Sequence, residues 1–414
     1  MRLFLWLLVI SLTFCSTSWA NEFALHDGDK IVFLGDSITG ARGYSKLVEQ
    51  FTILRYPDRQ VRFLNAGQGG DTAYGCLERL DRDVINAGAT VVTVAFGIND
   101  IGWGTKADPE HRQRYLDGIR AIVERCQANH IRVFICSPAI TAENPDTAEK
   151  EYLQRMADDG MALAKSLGAS TIDLSRGMRE IQRRVLQSNK GEADTSKHTR
   201  MHAPDGVHLN ELGQLAMGYV MIKGLGGTPE VSTAHLNATT GQIVRTEGCT
   251  LSDIKATSTS ISFRRLDRGL PWSFGILGAL QYRWIPLPEE LNSYRLRIEG
   301  LAPGDYEVRA GGRLLGKLSA ERLAKGDNIS TATANGWEPG GPWEAQSNAL
   351  KDLIEARDKL WGAGVERQRF DPTNPDDATL RQTIQDMDQR MMALEYATAK
   401  PFPYLFEVNR VEHK

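Results

Sequence analysis

The sequence predicts an α/β protein: a parallel sheet covered on both faces by helices, followed by a region that is β-rich to about residue 330 and mainly helical beyond it. Two observations carry this. From Lys30 to about Gly224, short runs rich in β-branched or aromatic residues alternate with longer amphipathic segments, and parallel strands need crossover connections of that length. After Gly226-Gly227-Thr228-Pro229 the texture changes to closely spaced β-like runs and then two helical stretches. This divides the chain into a leader (1–20), a first domain (21–228) and a C-terminal region (229–414).

The strand-like runs are Ile31–Leu34, Val61–Leu64, Thr90–Phe96, Ile131–Cys136 and Ser170–Leu174. The amphipathic segments between and after them are Tyr44–Tyr56, Thr72–Ala87, Glu110–Asn129, Thr147–Leu167 and Glu211–Lys223. In the C-terminal region, Tyr294–Ile298 and Tyr306–Ala310 flank a Gly/Pro turn that predicts a hairpin. The helices expected there are Trp343–Gly362 and Ala378–Tyr396. Trp272, Trp284, Trp337, Trp343 and Trp361 read as core more readily than as a sugar platform.

The N-terminus has the three parts of a secretory signal peptide: Arg2, the apolar stretch Leu3–Phe14, and the small-residue site Ser18-Trp19-Ala20. Cleavage after Ala20 removes Cys15 and sends the chain to the periplasm or the exterior; an uncleaved N-terminal anchor stays open. The remaining Cys76, Cys126, Cys136 and Cys249 form no zinc-type cluster, and the reading leaves free thiols and a disulfide equally open. Of the 414 residues 41% are hydrophobic and 24% charged, as in an ordinary globular protein. The net charge of −3 gives no bulk attraction to nucleic acid or to an anionic membrane.

Four short blocks carry chemistry, each beside the end of an expected strand or before a helix. Gly35-Asp36-Ser37 closes the first strand, where a sheet of this kind places its site; a serine there becomes a nucleophile only if a base takes its proton. Asn65 to Thr72 (Asn-Ala-Gly-Gln-Gly-Gly-Asp-Thr) supplies glycines that bring backbone N–H groups close to a substrate oxygen. Gly97-Ile98-Asn99-Asp100 ends the most hydrophobic strand and offers the Asn99 amide as a donor, with Asp100 read as structural. In Asp205-Gly206-Val207-His208 the carboxylate stands three positions before the imidazole, a spacing at which it can orient the ring. His198 and His202 are read as surface or capping residues.

In this order and on these elements, the four blocks resemble those of the SGNH hydrolases, the GDSL-like lipase/acylhydrolase family. The resemblance covers residues 27–225. It implies a flavodoxin-like three-layer α/β/α sandwich, Ser37, Asp205 and His208 as catalytic residues, and an oxyanion hole formed by Ser37, Gly70 and Asn99. Gly70 is chosen over Gly67 and Gly69 for its place just before Asp71-Thr72. Ile38 stands where the family usually has leucine. No Gly-x-Ser-x-Gly elbow occurs, which separates the chain from the α/β-hydrolases.

The resemblance implies ester hydrolysis without a metal or organic cofactor. The favoured substrate is a small-molecule or glycan ester carrying short acyl or acetyl groups. Lipid or lysophospholipid hydrolysis, acyl transfer to a glycan and plain glycan binding are the alternatives. No nucleic-acid partner and no stable membrane insertion are expected, and the oligomeric state is open. Trp103, with Gly102 and Gly104, reads as one wall of the pocket or as ordinary loop packing. The C-terminal region is left as a carbohydrate-binding module, a dimerisation element or a lid.

Overall fold

The computed structural model describes residues 22–337, 340–368 and 375–412. The leader read as a signal peptide and the Trp361 side chain lie outside the described residues.

Five strands form the first sheet: β1 (Lys30–Gly35), β2 (Arg62–Gly67), β3 (Val91–Ala95), β4 (Arg132–Cys136) and β5 (Ser170–Ile172). They are all parallel, in the order β2-β1-β3-β4-β5. All five residues of β3 are buried, and so are all but the first of β1, as a strand covered on both faces demands. From β1 the chain steps outward to β2 and then returns to lay β3 on the other side of β1. That reversal opens a crevice beyond the carboxyl ends of β1 and β3, the usual place for a ligand.

Helices Gly43–Arg55, Glu211–Gly224 and Leu174–Asn189 pack side by side, and Pro109–Ala128 packs with Tyr152–Ser166. The Leu174–Asn189 helix has no counterpart in the sequence reading, which ran a strand through Leu174. Asp173 accepts a hydrogen bond from the N–H of Arg176 (3.1 Å) and caps it. Its inner face carries Leu174, Met178, Ile181 and Val185 at helical spacing, with Arg179 and Gln182 buried beside them. The expected Thr72–Ala87 helix is instead a 3₁₀ turn (Gly75–Glu78) and a π turn (Asp81–Ile85). Arg79, between them, is pulled inward to Asp71 and to two strand-end carbonyls. The expected Thr147–Leu167 helix is split into Pro145–Ala148 and Tyr152–Ser166.

The C-terminal region contains β6 (Glu230–Asn237), β7 (Gln242–Glu247), β8 (Cys249–Thr257), β9 (Ser260–Asp267), β10 (Ser293–Glu299), β11 (Asp305–Ala310), β12 (Arg313–Ser319), β13 (Asp327–Asn328) and β14 (Tyr404–Arg410). They form two sheets, β13-β10-β6-β7 and β12-β11-β14-β9-β8. The hairpin expected of Tyr294–Ile298 and Tyr306–Ala310 does not form: β10 pairs with β6 and β13, β11 with β12 and β14. Tyr294, Leu296 and Ile298 on one strand and Tyr306, Val308 and Ala310 on the other are buried at alternate positions. The intervening turn, with positive φ at Gly300 and Gly304, therefore carries the chain from one sheet to the other. β14, which the sequence reading missed, lies between β11 and β9, so the helices Pro342–Gln368 and Pro375–Ala399 are an excursion between β13 and β14. Trp272, Trp284 and Trp343 are buried as expected, and Trp337 is exposed. All four described cysteines are buried free thiols.

The two parts are joined through the Gly43–Arg55 helix, in which every residue from Val48 to Arg55 is buried. A helix covered on all sides needs partners on all sides, and the C-terminal region supplies the outer ones. Gln50 donates to the Ser347 carbonyl (2.9 Å) and accepts from the Trp272 indole (3.0 Å). Arg55 donates to the carbonyls of Thr228, Glu230 and Leu291, and Arg357 pairs with Glu49 and Glu395. A chain ending at Thr228 is therefore expected to aggregate on expression, because Phe51 and the apolar residues around it lose their cover. A soluble, cooperatively melting 21–228 fragment in calorimetry would contradict this.

Candidate active site

The nucleophile turn is fixed by two close approaches. A Cβ on Gly35 would lie 2.2 Å from Thr39 Oγ1 and 2.9 Å from the Ala95 carbonyl, so only glycine lets β1 run into the one-turn helix Ser37–Gly40. Asp36 caps that turn by accepting from the N–H of Ile38 (2.9 Å), and burial pushes its carboxyl up to about 6.

Ser37 Oγ lies 2.9 Å from His208 Nε2. The other ring nitrogen, Nδ1, is 2.6 Å from Asp205 Oδ2. Asp205 Oδ1 in turn accepts from the backbone N–H groups of Val207 and His208, each at 2.9 Å. These bonds, with the one to the imidazole first among them, hold Asp205 down to about 2. Gly206 takes φ +72° in the turn, its carbonyl accepts from Ala142 N–H (2.8 Å), and Asn210 caps the following helix. His198 and His202 take no part: His202 is buried on the Ile140 carbonyl and His198 meets the Glu192 carbonyl.

The glycine-rich block folds over the same crevice. A Cβ on Gly67 would lie 2.1 Å from Gly40 N, so β2 and the nucleophile turn touch backbone to backbone. Gly70 is exposed with φ +75°. Among the described residues, neither its N–H nor that of Ser37 has an acceptor. Asn99 joins the two sides: its Nδ2 donates to the Asp71 carbonyl (3.0 Å), and its Oδ1 accepts from the Trp103 indole N–H (2.9 Å). Asp100 is bound as expected, accepting from Ala73 N–H (3.0 Å), and burial pushes it up to about 7.

Two residues that hold this arrangement escaped the sequence reading. Buried Arg79 pairs with the Asp71 carboxylate and donates to the carbonyls of Ala66 and Gly35, tying the ends of β1 and β2 to the Gly70 turn. Asn65 donates to the Thr39 carbonyl (2.8 Å) and accepts from Gly67 N–H (3.0 Å). Arg79 divides its bonds between the Asp71 and Asp83 carboxylates and backbone carbonyls, and Asn65, though it opens the glycine-rich block, bonds mainly to backbone, a role its residue type does not mark.

The site is open. Ser37, Asn99 and His208 are half-buried, while Gly69, Gly70, Trp103 and Asp205 are exposed. A half-open pocket of about 410 Å³ lies elsewhere, between the Gly43–Arg55 helix and the C-terminal helices, lined by Lys46, Glu49, Arg357 and Asp388 among others. Among the described residues, no group of three His, Cys, Asp or Glu side chains is placed to hold a metal ion, and no helix is long and apolar enough to cross a membrane.

A parallel five-stranded sheet with a hydroxyl, an imidazole and a carboxylate in hydrogen-bonded series at its carboxyl edge belongs to the hydrolytic α/β enzymes. Residues 33–216 match the GDSL-like Lipase/Acylhydrolase family, and the match supports an ester-hydrolysing enzyme. An acetylxylan esterase of Geobacillus stearothermophilus is 23% identical over 220 residues, 48% of this chain and 94% of the relative. The fold of a gut microbial diltiazem-metabolizing enzyme matches almost throughout: TM-score 0.78 at 21% identity, over 94% of this chain and 99% of that one. A crystal structure of the Geobacillus esterase matches 49% of this chain and 96% of its own, at 19% identity and TM-score 0.42.

Proposed function

We propose that the protein is an exported serine esterase that removes acetyl or other short acyl groups from a glycan. One observation carries the reading: Ser37 Oγ, His208 Nε2, His208 Nδ1 and Asp205 Oδ2 stand in series at 2.9 Å and 2.6 Å. His208 takes the Ser37 proton as Oγ attacks the ester carbonyl, and Asp205 stabilises the imidazolium. The backbone N–H groups of Ser37 and Gly70 and the free hydrogen of Asn99 Nδ2 receive the oxyanion. The proton passes to the departing alcohol, leaving an acyl group on Ser37. Water then attacks the acyl carbon while giving a proton to His208, which passes it to Ser37 Oγ as the acid leaves.

The open crevice suits an ester on a polymer better than one buried in a lipid chain, and the acetylxylan esterase relative supports acetyl as the acyl group. Export rests on the leader, and the domain limits 21–228 and 229–414 belong to the same proposal. The test is acetate release from acetylated xylan beside a chain-length series of p-nitrophenyl esters. Release that falls steeply beyond acetyl supports the reading; a preference for long chains moves the assignment to a lipid acylhydrolase.

Asn99→Ala is expected to lower kcat by about 100- to 1,000-fold, the usual cost of one oxyanion donor, with KM on p-nitrophenyl acetate little changed. Steady-state kinetics on purified protein check this.

A further inference from the structure

Trp103 is held in a conformation that bulky residues rarely adopt. Gly102, Trp103 and Gly104 all have positive φ (51°, 56° and 94°), and Trp103 lies in the left-handed region with ψ 33°. The turn is pinned by the bonds Gly102 N–H to Asn99 O (2.9 Å), Trp103 N–H to Ile98 O (3.0 Å) and Gly104 N–H to Ile101 O (2.9 Å). Strain of this kind persists where the surrounding structure over-determines it, and it gathers at functional sites.

The conformation has two consequences for the side chain. Its Nε1–H, which can only donate, faces Asn99 Oδ1, while the Asp71 carbonyl, which can only accept, faces Asn99 Nδ2. Together they fix which way the Asn99 amide points and leave its second N–H free for the crevice. The indole is also set 5.7 Å from the His208 imidazole, inclined at 73°, with 51% of the residue exposed. An aromatic face is thereby left open to the crevice beside the general base, where an apolar sugar face can lie against it.

We infer that Trp103 both positions Asn99 and, through its exposed ring, stacks on the sugar ring that carries the ester, so that this one residue selects glycan esters over simple ones. The inference rests on the esterase reading of the Ser37 site and names what lies on its alcohol side.

Two variants separate the two parts. Trp103→Phe keeps an aromatic face but loses the N–H. Trp103→Ala loses both. Each is assayed on an acetylated xylo-oligosaccharide and on p-nitrophenyl acetate, which has no sugar. With the Asn99 amide freed, Trp103→Phe should lower kcat by about tenfold or more on both substrates, a part of the full oxyanion-donor loss, and leave the oligosaccharide KM near its starting value. Trp103→Ala should in addition raise KM by about tenfold on the oligosaccharide alone, the scale of one aromatic contact.

Wild-type kcat in Trp103→Phe overturns the positioning role. An equal KM change on both substrates in Trp103→Ala, or none on either, overturns the stacking role. Trp103→Phe made in the Asn99→Ala background should cost nothing further, since the indole acts through Asn99; an undiminished loss there also overturns positioning. Failure of the esterase reading itself would look different, as full activity of Ser37→Ala on both substrates.

Discussion

Ser37→Ala is expected to lower turnover on acetyl esters by about a million-fold, and His208→Ala by about as much, while the double variant should lose no more than either alone. Serine and imidazole act as one unit: without the base the hydroxyl keeps its proton, and without the hydroxyl the base has no nucleophile to deprotonate. The 2.9 Å contact between Ser37 Oγ and His208 Nε2 is the physical basis of that non-additivity. Both side chains are only half-buried, so the variants should unfold within about 1 kcal/mol of the parent. Thermal melts beside burst-corrected kinetics check both statements. Additive losses, or a Ser37→Ala variant with more than a hundredth of parental turnover, would contradict the relay.

Asp205→Asn should cost about 10,000-fold in kcat, for a reason the hydrogen bonds spell out. Oδ1 of residue 205 accepts from two backbone N–H groups, so an asparagine must keep its oxygen there and turn its NH2 toward His208 Nδ1. The ring then carries its proton on Nε2, where it cannot accept one from Ser37. The pH dependence follows from the raised acidity of Asp205. Its carboxylate is favoured in the folded protein down to about 2, so its contribution is fully present above the ordinary value of 3.8 and is lost only as pH falls through about 2. A loss of kcat/KM on mild acidification is therefore not protonation of Asp205. Because the Asp36 and Asp100 carboxyls, pushed up to about 6 and about 7, titrate above pH 3 and Asp205 does not, Asp205→Asn should remove no ionisation from the acid limb of the kcat/KM profile above pH 3; the loss of one there would contradict the assignment.

Much of this was legible in the sequence because parallel strands buried on both faces need nearly unbroken apolar runs, and Ile31–Leu34 and Thr90–Phe96 supply them. The same property made the site legible, since blocks that follow such runs fall on one edge of the sheet. Ser37 and Asn99 stand where that logic puts them, whereas Asp205 and His208, well past β5, are brought there by the loop before the Glu211–Gly224 helix. Strand pairing was not legible in the same way. β10 and β11 are joined by a turn that reads as a hairpin, yet their partners are β6 and β14, and nothing local marks a partner so distant in the chain. Leu174–Asn189 was legible but passed over: Leu174, Met178, Ile181 and Val185 recur at helical spacing, while the strand was run to Leu174. Arg79 serves the site in part, and Asn65 mainly, by bonding to backbone, which any sequence offers. Trp103 was read as a wall of the pocket or as loop packing; its bond to Asn99 depends on a left-handed backbone that no composition announces.

The most direct test of the account is covalent labelling with a fluorophosphonate ester, followed by peptide mapping. The reagent reports which hydroxyl has been made nucleophilic, without any assumption about acyl group or glycan. The account predicts one adduct, on the peptide carrying Ser37, formed rapidly in the parent, slowed in Asp205→Asn and absent in His208→Ala. An adduct on another residue, or labelling of Ser37 at the same rate without His208, would contradict it.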